Sequence, residues 1–163
     1  AILGGGFQLN ASVGFVDAHY KEYNFLDAAG QPLNIAGAAR FPMVSKWTYN
    51  IGGKYTADLP IGALTLGLNY AFQSSRYFQP VDSLAPNNAT NPSGPQKEMK
   101  GSLTLAEMPW LANAGRLHDV EIQAYVNNLL NKRYRVSFVD FASYGTASWN
   151  RPRNYGVKVR AAF

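Results

Sequence analysis

An alternation of apolar and polar residues with a period of two places the strongest constraint on the fold of this chain. It is clearest in the last nine residues, where every second residue is apolar: Tyr155, Val157, Val159, Ala161 and Phe163. Lys158 and Arg160 lie between them. Successive side chains of a β-strand point to opposite faces, so the segment predicts a strand with one apolar and one polar face. A helix would need apolar residues every three to four positions.

The same alternation occurs in six segments of the chain. They cover Phe7–Tyr23, Trp47–Leu59, Ala63–Phe78, Lys97–Met108, Leu117–Leu130 and Arg153–Phe163. Each segment provides the roughly 9–11 residues that a tilted membrane strand needs, whereas strands of soluble sheets are most often about 5–6 residues long. The predicted fold class is all-β, a transmembrane antiparallel β-barrel segment of about six consecutive strands.

The connections between these segments alternate between long and short. Long loops cover Asn24–Lys46, Gln79–Gln96 and Arg135–Pro152, and short connections cover Asp58–Gly62 and Pro109–Arg116. Outer-membrane barrels have this asymmetry, with long loops outside the cell and short turns in the periplasm. We therefore predict that all the long loops lie at one end of the sheet.

The composition excludes membrane helices and thiol chemistry. The chain is 47% apolar, but no run approaches the roughly 18 apolar residues of a membrane helix. It contains no Cys, so it offers neither disulfides nor a thiolate nucleophile. The net charge of +5 is compatible with nucleic acid, an anionic membrane surface or an anionic ligand, and among these partners we predict no nucleic acid.

Aromatic residues mark both ends of the apolar faces. We place Phe7, Tyr55, Trp110 and Phe163 at the turn side, and Tyr77, Phe78, Trp47, Trp149 and Tyr155 at the loop side. Two such girdles are typical of strands that cross a membrane. The alternative is a soluble antiparallel β-sandwich, whose strands alternate in the same way.

Two segments near the carboxy-terminus carry the most specific pattern. Val126–Tyr134 reads Val-Asn-Asn-Leu-Leu-Asn-Lys-Arg-Tyr, and Arg151–Val157, after a loop, reads Arg-Pro-Arg-Asn-Tyr-Gly-Val. Together with Phe163, they resemble the carboxy-terminal end of the TonB-dependent receptors of the outer membrane. Phe41–Trp47 resembles the segment that opens another strand in that family, although Ser45 replaces its second Pro. The resemblance covers almost the whole chain.

The resemblance implies both a fold and a function. The family fold is a barrel of about 22 antiparallel strands around a plug domain. Residues 1–163 would form the carboxy-terminal part of that barrel, and the plug domain would be absent from this chain. Such receptors take up scarce nutrients, commonly ferric siderophores or similar chelates, across the outer membrane of Gram-negative cells, with energy delivered through TonB. We expect no enzyme activity, no catalytic residue, no cofactor and no bound metal.

The implied partners follow from that architecture. They are outer-membrane lipid and lipopolysaccharide, the remainder of the same barrel and its plug domain, TonB through the missing amino-terminal part, a small-molecule ligand, and the barrel-assembly machinery. By resemblance, that machinery reads a membrane-assembly signal formed by Tyr155, Val157, Val159, Ala161 and Phe163. Six strands alone would leave two open edges, whose unpaired backbone groups are costly in lipid, so we expect a longer native polypeptide.

Cations and aromatic residues of the loops are the candidate ligand contacts. They are Arg40, Tyr77, Arg135, Trp149 and Arg151. Capture of an anionic chelate would explain them, but so would pairing of cations with lipopolysaccharide phosphates and packing of one loop on another. Four further cations share the parity of the polar residues, where they would meet carboxylates of the plug: Lys54, Lys100, Lys158 and Arg160.

The same residues bear on three other classes of protein: an enzyme, a passive barrel and a soluble module. His19 and His118 lie far apart in the chain, and neither has a second ligand at metal-binding spacing, so nothing indicates an enzyme. A passive barrel, such as a porin or an autotransporter translocator, is one alternative, which an upstream plug domain would exclude. A soluble β-rich binding or adhesion module is the other, and it would fold without detergent.

Overall fold

The computed structural model describes residues 2–82, 92–112 and 118–162. Phe163, Leu117 and parts of the predicted connections Gln79–Gln96 and Pro109–Arg116 lie outside the described residues. The strands are β1 (Ile2–Gly4), β2 (Phe7–Phe15), β3 (Asn24–Leu26), β4 (Pro32–Asn34), β5 (Trp47–Leu59), β6 (Gly62–Gln73), β7 (Gln96–Ala106), β8 (His118–Asn127), β9 (Arg135–Asp140), β10 (Gly145–Trp149) and β11 (Asn154–Ala162). A four-residue helix, α1, covers Pro109–Ala112.

Seven strands form one antiparallel sheet in the order β1-β2-β5-β6-β7-β8-β11. Apart from two small hairpins, β3–β4 and β9–β10, each strand pairs with the strand before it in the chain. The all-β, antiparallel prediction is therefore confirmed. Within the described ranges, β1 and β11 are the two edges of this sheet, which does not close into a barrel.

The register of the sheet places residues of like character on one face. One rung across six strands consists of Leu9, Gly53, Leu68, Gly101, Val126 and Tyr155. The next rung, on the opposite face, consists of Gln8, Lys54, Gly67, Ser102, Tyr125 and Gly156. We call the first side the apolar face and the second the polar face.

The three long connections leave the sheet at one end, as predicted. They cover residues 16–46, 74–95 and 128–153, and we call this the loop end. At the opposite, turn end, Leu59 pairs with Gly62, so only Pro60 and Ile61 connect β5 to β6. Gly62 has a φ of 135°, and a side chain there would collide with the Ala106 carbonyl oxygen, which is why this tight turn needs glycine.

The main sheet has seven strands, one more than the six predicted, and some of the predicted bounds are too wide. Ile2–Gly4 adds β1, whereas β5 has the predicted bounds. β2 ends at Phe15 instead of Tyr23, and β6 ends at Gln73 instead of Phe78. Beyond β6, the Tyr77 carbonyl oxygen accepts a 2.8 Å hydrogen bond from the Met43 N–H, so this part of the chain pairs with another loop.

The last two strands of the sheet also differ from the prediction, β8 in where it ends and β11 in its register. β8 ends at Asn127 instead of Leu130, because Asn128 has a left-handed φ of 50° that a strand does not accommodate. In β11 the pairing with β8 shifts between Arg160 and Ala162, so Ala161 lies at an irregularity of the ladder.

Two hairpins lie inside the long loops, where the alternation predicts no strands. In the turn between β3 and β4, the Asp27 carboxylate accepts hydrogen bonds from the N–H groups of Ala29, at 2.9 Å, and Gln31, at 2.8 Å. In the turn between β9 and β10, the Asp140 carboxylate accepts a 2.8 Å bond from the Ala142 N–H. Aspartate stabilises such turns by bonding the backbone two residues further on.

Buried apolar side chains gather beyond the ends of the sheet. Those in the described residues are Ala39, Phe78, Val81 and Phe138 at the loop end and Met108 at the turn end. The main sheet is a single layer, since its strands contact their neighbours in the sheet and no described element packs across either face. In the part of the chain that the structure describes, no helix has the length and apolarity needed to cross a membrane.

Candidate functional site

The apolar face exposes large side chains across the whole sheet. The most exposed are Phe7, Leu9, Val13, Phe15, Trp47, Ile51, Leu66, Leu68, Leu103, Tyr155, Val157 and Val159. Soluble monomers rarely expose a contiguous apolar patch larger than about 300–600 Å². The apolar face is therefore a candidate contact surface for lipid or for an apolar partner.

Aromatic pairs mark two levels of this face. At the loop end, the ring centres of Phe15 and Trp47 are 4.5 Å apart. At the turn end, those of Phe7 and Tyr55 are 4.4 Å apart. Along β5, the path from Trp47 to Tyr55 is about 27 Å, or about 20 Å across a bilayer at the usual strand tilt. This is close to the roughly 25 Å apolar band of membrane barrels.

The other predicted girdle residues are placed less uniformly. Trp110 and Tyr155 are exposed at the turn side and the loop side as predicted, whereas Trp149 is exposed on β10 of the separate hairpin and not at the rim of the main sheet. The prediction for Phe78 is wrong, because its ring is buried and lies 6.1 Å from the Phe138 ring. Tyr77 belongs to the loops rather than to the rim of the apolar face, since it pairs with Pro42 of another loop.

The polar face is a ladder of hydrogen-bonded side chains. The amides of Asn50 and Asn69 bond to each other in both directions, at 3.1 Å and 2.9 Å. The hydroxyls of Thr56 and Thr65 are 2.9 Å apart, and Gln123 donates a 3.1 Å bond to Thr104. These groups also bond readily to water, so this face suits an aqueous environment.

A groove of about 400 Å³ on the polar face collects three ammonium groups, those of Lys54, Lys100 and Lys158. Lys100 lies 3.5 Å from a carboxylate oxygen of Glu98, and the Lys158 ammonium lies 4.9 Å from the centre of the Tyr125 ring. The predicted placement of these lysines and of Arg160 on the polar face is confirmed. Their pairing with plug carboxylates stays a prediction.

A chain of contacts joins the three long loops. The Arg40 guanidinium lies 4.7 Å from the centre of the Tyr77 ring. Tyr77 forms β-bridges with both Pro42 and Pro92. Arg135 completes the chain, because its Nη2 donates a 2.7 Å hydrogen bond to the Pro92 carbonyl oxygen. Three of the five predicted ligand residues thus lie in one connected cluster.

A cavity of about 460 Å³ opens beside this cluster, and we call it the loop cavity. Its lining includes Asp17, His19, Tyr20, Arg40, Lys46 and Tyr77. Lys46 is 3.1 Å from Asp17, and the rings of Tyr20 and Phe41 stack with centres 4.1 Å apart. Cations beside aromatic rings can hold an anionic, flat ligand through charge and stacking together.

Arg135, Trp149 and Arg151 do not line this cavity. Trp149 pairs with Arg135 in the hairpin, and the Arg133 guanidinium lies 5.1 Å from the centre of its ring. Arg151 lines a separate pocket of about 310 Å³ together with Glu98, Lys100 and Tyr134. The five residues therefore form no single site.

The ionisation of Tyr134, which lines that second pocket, is shifted. Burial raises the pKa of its phenol above the usual value of 10.0, and the Glu98 carboxylate raises it further, whereas Arg76 lowers it. The pocket therefore favours the neutral phenol, which can both donate and accept a hydrogen bond.

Asparagine residues in and next to the two carboxy-terminal motif segments form a network that residue-by-residue interpretation of the sequence misses. Asn128, which is 3% exposed, donates to the carbonyl oxygens of Lys132, at 2.9 Å, and Arg151, at 3.1 Å, and accepts from the Lys132 N–H at 2.9 Å. Asn150 accepts a 2.9 Å bond from the Tyr134 N–H. The signal was the recurrence of Asn within and next to both motif segments, since Asn bonds readily to backbone in turns.

The predicted assembly signal lies on the edge strand β11. Tyr155, Val157 and Val159 are 83%, 67% and 68% exposed on the apolar face. Ala161 lies at the register shift and is partly buried. Phe163 is outside the described residues. Recognition of this set by an assembly machinery stays a prediction.

The described residues contain no group of three or more His, Cys, Asp or Glu side chains that could hold a metal ion. His19 lines the loop cavity. No protein-family model, no curated protein and no solved structure matches the chain.

Proposed function

We propose that this chain forms part of the wall of an outer-membrane receptor that takes up a scarce nutrient, with a ferric siderophore or similar chelate as ligand and TonB as the source of energy. The observation that carries the membrane part is the exposed apolar face of a single-layer antiparallel sheet whose other face is polar. Lipid on one side and water on the other satisfy both faces at once.

The two edges of the sheet extend this proposal. In lipid, each unpaired N–H or C=O group of an edge strand costs several kcal/mol, so β1 and β11 need partners. Further strands of the same polypeptide would supply them and close the wall.

The loop cavity supports the receptor part. Its cations, Arg40 and Lys46, and its rings, Tyr20 and Tyr77, suit a ligand that is anionic and carries flat groups. The assignment of an iron chelate and of TonB rests on the resemblance of the motif segments Val126–Tyr134 and Arg151–Val157.

Tryptophan fluorescence tests the membrane part. A variant that keeps only Trp47, made by replacing Trp110 and Trp149 with Phe, is reconstituted into vesicles that contain lipids brominated at chosen depths. Because Trp47 lies at the loop end of the apolar face, we expect quenching by shallow bromine atoms. The matched variant keeps only Trp149, which lies in the loop hairpin, and should be quenched far less. A water-soluble, folded monomer with unquenched Trp47 would exclude the proposal.

Uptake of labelled iron chelates tests the receptor part. Cells that express the receptor with Arg40→Ala or Tyr77→Ala should lose uptake that depends on TonB, while Arg160→Ala, on the polar face away from the loop cavity, should retain it. Uptake that is independent of TonB would instead favour a passive barrel.

A further inference from the structure

Gly101 opens a groove in the apolar face. The groove has a volume of about 400 Å³ and is lined almost entirely by apolar atoms, with Leu66, Leu68, Leu103, Val126 and Leu129 around it. A Cβ atom at position 101 would lie 3.2 Å from Val126 Cγ1 and 3.5 Å from Leu68 Cδ2. The groove exists because Gly101 has no side chain, and a side chain larger than that of alanine would fill it.

Lys97 is a cation on this same face. It lies on β7 four residues before Gly101, at the loop end, about 13 Å away along the strand. It pairs with Phe72, whose ring stacks on Tyr49 with centres 4.5 Å apart. The Lys97 side chain is exposed, and in the described ranges it has no carboxylate within ion-pair distance.

An apolar groove with a cation and aromatic rings about 13 Å away on the same face matches the chemistry of one amphiphile. We propose that a phosphate-bearing membrane lipid binds here, with an acyl chain along the groove at Gly101 and its phosphate at the Lys97 ammonium. Aromatic rings at the level of the lipid headgroups are where such a phosphate would lie. This inference rests on the proposed membrane function, because the groove would otherwise face water.

Charge complementarity distinguishes lipid from other occupants. A soluble phosphate would use Lys97 but would gain nothing from the groove, and a purely apolar partner would leave the exposed ammonium without a counter-ion. A phosphate-bearing lipid uses both features at the distance that separates them.

Retention of lipid by the protein in detergent micelles doped with phosphatidylglycerol tests this proposal. The lipid-bound fraction is measured by native mass spectrometry. Lys97→Gln should lower the lipid association constant about fivefold, the contribution expected of one basic residue at an anionic surface. Gly101→Val should lower it as well, by filling the groove. Diacylglycerol, which lacks the phosphate, should bind equally to the native protein and to Lys97→Gln.

The chain offers matched controls for both substitutions. Gly53 lies on the same rung and the same face as Gly101, on the other side of Leu68, but outside the groove, so Gly53→Val should retain lipid. Lys54→Gln removes a cation from the polar face and should retain lipid too. Inorganic phosphate that displaced the lipid and bound equally to Gly101→Val would identify a site for free phosphate instead.

The outcomes separate this inference from the function on which it rests. Equal retention by Lys97→Gln, Lys54→Gln and the native protein would overturn the lipid site, even where Trp47 is quenched by brominated lipid. Absence of Trp47 quenching would overturn both. Lys97 is an exposed residue, so its substitution tests the site even where Gly101→Val fails to fold.

Discussion

The ring of Tyr125 occupies the space that a side chain at Gly156 would need. The two residues are directly paired across β8 and β11, and a Cβ atom at position 156 would lie 2.7 Å from the Tyr125 hydroxyl oxygen. Gly156 does not have a left-handed φ, so it is the contact with the half-buried Tyr125 ring, and not the backbone conformation, that disfavours a side chain here.

Replacement of Gly156 by Ala should therefore destabilise the pairing of β8 with β11. Overpacking of this kind costs about 1–3 kcal/mol in the free energy of unfolding. Tyr125→Ala in the same chain should recover most of that loss, because it removes the colliding ring. Denaturant titrations in detergent measure both, and Gly37→Ala, at a position where no atom lies within 4 Å of the added Cβ, is the control. Additive effects of the two substitutions would contradict the contact.

Asn128 should contribute more to stability than the other left-handed asparagine of its turn, Asn131. Asn128→Gly keeps the φ of 50° available but removes three hydrogen bonds, a loss of about 2–4 kcal/mol in the free energy of unfolding. Asn131→Gly, with a φ of 49°, removes one bond accepted from the Arg153 N–H and should cost about 0.5–1.5 kcal/mol. Equal losses in the two variants would contradict the larger contribution of Asn128.

Because of Tyr134, the stability of the loop end should decrease as the pH rises in the alkaline range. Because burial holds its pKa above 10.0 in the folded state, its contribution is fully present below pH 10 and is lost as the pH rises through the folded value. Tyr134→Phe should abolish this part of the decline, which unfolding experiments at a series of pH values between 9 and 12 would measure. Tyr144→Phe, at an exposed ring of the hairpin, serves as the control and should leave the decline unchanged.

Arg135 should hold the second long loop in place. Loss of its 2.7 Å bond to Pro92 is expected to speed hydrogen exchange at the adjacent Ser93 N–H, which donates to the Arg76 carbonyl oxygen at 2.8 Å. A charged hydrogen bond contributes about 1.5–3 kcal/mol, so an acceleration of about tenfold or more is expected in Arg135→Ala. Arg133→Ala, two residues away and stacked on Trp149, should not change this amide. An unchanged rate in both variants would limit Arg135 to a surface role.

The strands and their faces could be predicted because alternation is a local property. In β5, the two faces alternate without interruption over thirteen residues, and the strand ends at a turn with Pro60 and Gly62. The predicted bounds are therefore those of the structure. β2 and β6 are shorter than predicted because the strict alternation ends where they do: Val16 follows the apolar Phe15 directly, and residues 74–78 do not alternate. Beyond these points the chain bonds to other loops, as the Met43 N–H does to the Tyr77 carbonyl oxygen.

The candidate site was predictable only in its residue types. Arg40, Tyr77 and Arg135 come from three different loops, and they meet because Pro92 contacts both Tyr77 and Arg135. No periodicity encodes such a meeting. Trp149 is paired with Arg135 in the hairpin, but neither lines the loop cavity, and Arg151 lines the second pocket, which is why the five predicted residues do not share one cavity.

The sequential order of the sheet has a consequence for how the protein is made. Every strand of the main sheet joins the strand before it, so assembly can proceed hairpin by hairpin without threading one connection through another. Each added strand, however, leaves a new unpaired edge and exposes more apolar surface. An unpaired edge in water is a template for aggregation. Synthesis and insertion must therefore be kept in step, because each strand of the sheet is an open border until the next strand pairs with it.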